Sequence, residues 1–408
     1  MVEVKVMKKV QNQYNKYPYP KPIFEMKEMI SRGYREAACF DKEFWHNFFP
    51  EKEFNDKLKI FIAGCGTNQA IYFSLKYPNS KIYAIDLSQT SISHNHDMIK
   101  KYNIKNLEIE KKSIFDIKIK EEFDFIISSG VIHHTEDPKK ALKILVKSGF
   151  KESAINIMVY ASYLRVGVYF LQDIFKYLGL EQNKNDIEFA KKFISALPSN
   201  HFIRNYGELG SIDDSAFVDT FLHTQDKAFD CLEIEELIKG TGSFFQSWTD
   251  VKNYYPNSSY LNQYNKNLSK LSLFEIGDLT QKTIHTLGKH SFILRKKDNF
   301  KNLWHNIDSI KINYKVNKIP IFHVLEKPSI ESKKGGSLRD KQGNIYKLTL
   351  VESIIYDNIT LNPIIISDLI KSSKIFSEKM LIKLELEDKD FISIIHKFWK
   401  MGLIYFSY

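Results

Sequence analysis

From Lys57 onward, short apolar runs alternate with longer stretches in which apolar residues return every three or four positions. The runs fall at 59–63, 81–86, 106–110, 122–129 and 152–160, and the helical spacing at 68–77, 89–101 and 138–148. Short continuous runs suit strands covered on both faces, whereas the longer period is that of amphipathic helices. Their alternation predicts an α/β fold, a doubly wound Rossmann-like sheet with right-handed crossovers and a ligand edge at the strand C-termini. The pattern breaks after Tyr160 and returns only at 243–248 and 291–296. That gap is too long for a plain connection and has helical spacing of its own at 168–179 and 186–197, so a helical cap inserted at about 161–240 is expected.

The flanks read differently. Residues 11–24 carry Tyr14, Tyr17-Pro-Tyr-Pro20 and Pro22, which predicts an extended, polyproline-like segment rather than helix. It serves either as a strap on the domain surface or as a lid over the ligand edge. Residues 26–49 read as one or two helices with Phe40, Phe44, Trp45, Phe48 and Phe49 as a packing face. Beyond 298 the character changes. A loop or linker is expected at 331–342, followed by elements at 348–354, 360–371, 377–384 and 388–401 and a closing strand to Phe406, together a small winged-helix-like α+β module. The expected domains are thus 1–56, 57–298 and 299–408.

Candidate chemistry gathers at the strand ends. The first run stops at Ala63-Gly64-Cys65-Gly66, so the glycines lie between strand and helix, where a ligand can reach backbone amides. The second run ends at Asp86-Leu87-Ser88, at the spacing that places a carboxylate on ribose hydroxyls. A plainer role for Asp86 or Ser88 is to cap the following helix. The third glycine of a dinucleotide-binding turn would fall at Gln69, which weakens a nicotinamide reading. The fourth run leads into His133 and His134, and Asp137-Pro138 starts the next helix, which confines the pair to a short loop at the ligand edge. Histidine there either takes a proton from an acceptor near neutral pH or walls the cofactor.

Taken in order, Ala63-Gly-Cys-Gly-Thr67, Ala84-Ile-Asp-Leu-Ser88 and Ser128-Ser-Gly-Val-Ile-His-His-Thr135 resemble the class I S-adenosyl-L-methionine (SAM) dependent methyltransferases. The resemblance implies a seven-stranded sheet with SAM at Ala63, Gly64, Cys65, Gly66, Asp86, Leu87, Ser129 and Gly130. It also implies that Ser113 stands where an acid commonly bonds the adenine amine, with Ile114 packing on the ring. No Asn/Asp-Pro-Pro-Tyr/Phe sequence follows the fourth strand, so oxygen, carbon or an already nucleophilic amine is expected as acceptor before an exocyclic amine. The whole span, with Tyr160–Arg165 and Asp219–Asp226, resembles bacterial members often fused to tetratricopeptide arrays, although no such repeat is read here.

Composition adds bounds. With 408 residues and 43% hydrophobic content the chain can bury cores for two domains. The net charge of +10 is dispersed, so nucleic acid stays open but is not favoured over a solvated basic surface. Cys39, Cys65 and Cys231 are far apart without metal-ligand spacing, and neither disulfide nor metal is expected. No long apolar stretch appears, which points to the cytoplasm and away from membrane. The expected function is methyl transfer to an unidentified acceptor, a small molecule or protein, with His134, His133 and His223 as candidate catalytic residues. A SAM-binding regulator and a nicotinamide oxidoreductase are the alternatives, and a homodimer through the C-terminal module stays open. Among the polar residues of the cap, which include Tyr163, His201, Arg204 and Asp219, the four Tyr160, Arg165, His223 and Asp226 are expected to lie nearer His133 and the glycine turn than the C-terminal module does; the cap's polar groups either bond one another and hold the cap shut or converge over the methyl group and select the acceptor. Spacing by three would put His223 and Asp226 on one helix face.

Overall fold

The apolar runs become strands β1 (Lys59–Ala63), β2 (Lys81–Asp86), β3 (Leu107–Lys111), β4 (Phe123–Ser129), β5 (Gly149–Tyr160), β6 (Phe244–Trp248) and β7 (Lys289–Arg295). They form one sheet in the order β3-β2-β1-β4-β5-β7-β6. β1 to β5 run parallel, while β7 lies antiparallel between β5 and β6. Ile60, Phe61 and Ile62 of β1 and Phe125, Ile126 and Ile127 of β4 are completely buried, as central strands covered on both faces require. The computed structural model describes residues 2–206, 212–256, 265–284, 286–319, 322–340, 343, 345–379 and 386–408. Among them, no helix is long and apolar enough to cross a membrane.

Helices fill the crossovers at Gln69–Lys76, Gln89–Tyr102 and Pro138–Ser148. Asp137 caps the last of these by accepting the Lys140 amide at 2.8 Å, with Pro138 in its first turn. The insertion after β5 folds on itself: helices Val166–Tyr177, Lys184–Ala196 and Asp214–Phe221 bury Leu171, Phe175, Ile187, Ile194, Phe217 and Phe221 in a common core. It therefore has its own apolar reason to hold its shape.

The sheet, its helices and the cap belong to one compact unit made of residues 1–39, 55–248 and 256–301. One expectation about its start is overturned. A helix, Val2–Lys16, runs through the first half of the stretch read as extended, because the first proline comes only at Pro18.

The second unit comprises residues 40–54, 249–255 and 302–408. Phe40, Trp45, Phe48 and Phe49 are buried within it, so the aromatic face read in the N-terminal flank serves this unit. It holds helices Leu350–Asn358, Ile366–Lys379 and Asp388–Lys400 and two antiparallel three-stranded sheets, one formed by Ile364–Ile365, Lys315–Lys318 and Ile404–Ser407. The expected loop at 331–342 contains strand Ser337–Arg339, the middle strand of the other sheet. Gly335 explains why: a Cβ there would sit 1.8 Å from the Leu348 carbonyl oxygen, so the missing side chain admits the close backbone approach. Residues 341–342 of that loop, and 380–384 of the element expected at 377–384, lie outside the described residues.

Burial sets an acid limit on this second unit. It drives the His305 imidazole down to about 3 and that of His396 down to about 4. Below pH about 6.5 the unfolded chain therefore binds more protons than the folded one, and each group removes about 1.4 kcal/mol per pH step as pH falls towards the folded values. Two such groups should cost about 4 kcal/mol between pH 7 and 5. Urea titrations followed by tryptophan fluorescence, with Trp399 within 5.7 Å of both rings, should show this loss. His396→Gln should remove roughly half of the pH dependence.

Candidate active site

The turn after β1 depends on two glycines in the left-handed region, Gly64 with φ 76° and Gly66 with φ 54°. At Gly64 a Cβ would come within 2.3 Å of Val131 Cγ2, so the turn needs both the backbone freedom and the empty space. Asp86, at the end of β2, binds this turn: Oδ2 accepts the Gly66 amide at 2.8 Å and Oδ1 accepts the Ser88 amide at 2.8 Å. Burial raises the Asp86 carboxyl, and the Ser88, Gly66 and Leu87 amides act against that rise. The helix-capping role falls to Ser88, whose Oγ accepts the Ser91 amide at 3.1 Å. Beyond β3, Ser113 Oγ accepts the Phe115 amide at 3.2 Å and starts the short 3-10 turn Ile114–Asp116.

These loops surround a cavity of about 430 Å³, within the range of small-molecule pockets. Gly64, Cys65, Gly66, Asp86 and Leu87 line it on one side; Ser113, Ile114, Ser129, Gly130 and His134 also reach it. Ala63 stays fully buried behind the turn. Burial pushes the Cys65 thiol well up, which makes a thiolate nucleophile there unfavourable.

The N-terminal segment closes over the turn. Thr67 Oγ1 donates to the Pro20 carbonyl at 2.6 Å, and the Asn68 side chain bonds Lys21 and Ile23 at 3.0 and 2.9 Å. Tyr19 and Pro20 consequently line the cavity. Of the two roles read for this segment, its position is that of a cover over the ligand edge.

At the cap side, side chains from distant parts of the chain meet. His134 lies in a 3-10 turn after β4, and its Nδ1 is 2.9 Å from the Gln225 carbonyl. A carbonyl only accepts, so Nδ1 carries a proton directed at it. The His223 ring stacks on His134 at 3.9 Å between centroids. Its Nδ1 accepts the Gln225 amide at 3.0 Å, which leaves its proton on Nε2, 3.1 Å from Tyr14 Oη. Tyr14 in turn donates to Asp219 Oδ1 at 2.8 Å, and Tyr160 donates to Asp219 Oδ2 at 2.6 Å. Burial, with the Asp219 charge beside them, pushes both phenols well up, so they remain protonated donors. Arg165 lies over the Tyr160 ring at 3.9 Å and forms a buried ion pair with Asp226 at 2.6 Å.

Tyr160, Arg165, His223 and Asp226 thus converge around the histidine pair. His133 differs from its neighbour. It is completely buried, does not line the cavity, and neither ring nitrogen has a hydrogen-bond partner among the described residues. Burial, followed by the neighbouring His134 ring and the Arg165 charge, holds it well below the usual imidazole range. Three other cap residues turn elsewhere: Tyr163 bonds Asp278, Arg204 bonds the Leu197 carbonyl, and His201 Nδ1 accepts the Ile203 amide. The shared helix face expected for His223 and Asp226 is not formed, because the helix ends at Phe221 and both residues lie in the turn beyond it. Tyr14 was missed as a site residue, since its partners Asp219 and His223 are 205 and 209 residues away.

Residues 55–165 match the family model described as a methyltransferase domain. An uncharacterized protein of Synechococcus is 26% identical over 208 residues, 48% of this chain and 50% of that protein. The chain thus spans about half the length of the curated relative it matches. Among solved structures, PKMT2 from Rickettsia typhi superposes with TM-score 0.64 at 15% identity, over 95% of this chain and 77% of the other. The same protein in complex with AdoHcy gives TM-score 0.63 at 16% identity, over 96% and 77%. At such identities the likeness establishes the fold, and the methyltransferase-domain match agrees with SAM as the cofactor expected.

Proposed function

We propose that the chain is a SAM-dependent methyltransferase whose acceptor enters against the cap cluster. The observation that carries this reading is a single cavity lined by the glycine turn, Asp86, Ser113, Ile114 and His134. SAM supplies a sulfonium methyl, and the chain's own residues bind and orient it. The amides and glycines of 64–66 approach the cofactor, Asp86 offers its remaining lone pairs to ribose hydroxyls, and Ile114 gives the adenine an apolar wall. On the other side Tyr14, Tyr160, Asp219 and His134 Nε2 hold the acceptor's reacting group in line with the methyl, so catalysis is mostly positioning in a site shielded from water.

Methyl-labelled SAM incubated with the protein and a lysate of its source organism, then sorted into protein, RNA and small-molecule fractions, tests the activity. Label is expected in the protein or small-molecule fraction above a no-enzyme control. Label in none, with SAM bound, would instead favour a regulatory SAM-binding protein. Asp86→Ala should weaken SAM at least about tenfold, since it removes charge-assisted bonds of about 1.5 to 3 kcal/mol each and frees the Gly66 amide. Calorimetry on the folded variant checks this, and unchanged affinity would refute the ribose assignment.

A further inference from the structure

We propose that residues 11–24 form a gate for the cofactor, a clamp that must open for SAM to enter or its demethylated product to leave. The proposal rests on the SAM reading of the cavity and concerns the traffic through it. The segment covers the glycine turn at contact distance: a Cβ at Gly66 would lie 3.2 Å from the Tyr19 carbonyl oxygen and 3.3 Å from Pro20 Cδ. Tyr14, Tyr19 and Pro20 line the cavity together with the turn.

The clamp is bonded both to the cofactor turns and to the cap. On the cofactor side, beyond Thr67 and Asn68, the Asn15 side chain accepts the Gln89 amide at 2.8 Å and the Asn15 carbonyl accepts Thr90 Oγ1 at 2.8 Å. Ser88 Oγ also donates to the Tyr14 carbonyl at 3.0 Å. On the cap side, Gln13 Oε1 accepts the Gln182 side chain at 2.8 Å and the Thr224 amide at 3.1 Å, and Tyr17 Oη donates to the Gln182 carbonyl at 3.1 Å. A segment fixed at both places bridges the ligand edge between them, and a ligand the size of SAM passes only when one row of bonds parts.

These latches are separate from the site itself. Gln13, Asn15, Tyr17, Thr90, Gln182 and Thr224 do not line the cavity. Weakening them therefore leaves the contacts to a bound ligand in place and raises the fraction of time the clamp is open, with and without ligand alike. Both rates of exchange should rise, and their ratio should hold. Tyr14 travels with the clamp, so opening also withdraws its phenol from Asp219 and His223. The acceptor wall is complete only when the cofactor is shut in.

The test uses the full chain and methyl-labelled SAM on rapid filtration, timing uptake after mixing and release into an unlabelled chase. Gln13→Ala, which removes two of the latch bonds, should speed both rates about tenfold and leave the dissociation constant within about threefold. Thr90→Val, which removes one bond at an exposed position, should speed both about threefold and serves if Gln13→Ala fails to fold. Rates unchanged in the folded variants would overturn the gate and leave the SAM site standing, as would faster release alone with a matching loss of affinity. A wild type that takes up no SAM would refute the reading of the cavity and the gate with it.

Discussion

Replacing Gly64 with alanine is expected to lower stability by about 2 to 5 kcal/mol and SAM affinity at least about 100-fold. Two strains add. Alanine at φ 76° leaves the region L-residues prefer, and its Cβ would sit 2.3 Å from Val131 Cγ2. Val131 is β-branched and cannot swing aside at little cost. Because Gly64 and Cys65 both bond the Ile85 carbonyl, at 2.8 and 3.0 Å, displacing the turn also displaces the end of β2. Urea midpoints of Gly64→Ala and of Gly64→Ala with Val131→Ala separate the two strains. The double variant should recover the steric part and keep the backbone part, whereas two equally stable variants would mean that Val131 was never the obstacle.

The second large effect concerns Arg165. With 1% of its side chain exposed and a 2.6 Å contact to Asp226, whose side chain is 2% exposed, it neutralises a buried carboxylate. Arg165→Met should cost about 3–5 kcal/mol, because a buried charge loses its partner. Arg165→Met with Asp226→Leu removes both charges and should regain most of that loss. Thermal unfolding of the four members of the cycle checks this. If the double variant is no more stable than Arg165→Met, stacking on Tyr160 rather than the ion pair is what Arg165 contributes.

The sheet was legible because local pattern is enough to specify it. Buried strands such as Ile60–Ile62 must be apolar on both faces, a turn at φ 76° must be glycine, and the acid ending β2 stands beside that turn through parallel pairing of Ala63 with Ile85. The cap cluster was only half legible. Composition marked Arg165, His223 and Asp226 as polar groups needing partners, but the choice among partners is made by tertiary packing, which periodicity does not encode. Tyr14 shows this most clearly: prolines nearby suggested an extended strap, yet the helix continues to Lys16 and carries Tyr14 to the cap. The same holds for residues 40–54, whose aromatic face could be seen but not the unit that it packs in.

The central claim is that the cavity beside Gly64 and Asp86 takes an adenosyl sulfonium. Calorimetric titration of the full chain with SAM, its demethylated product and NAD tests it most directly. The expected result is one-to-one binding of SAM and of its product, abolished in Gly64→Ala, with no heat from NAD. Saturable binding of NAD with neither sulfur compound binding would contradict it and return the glycine turn to a dinucleotide.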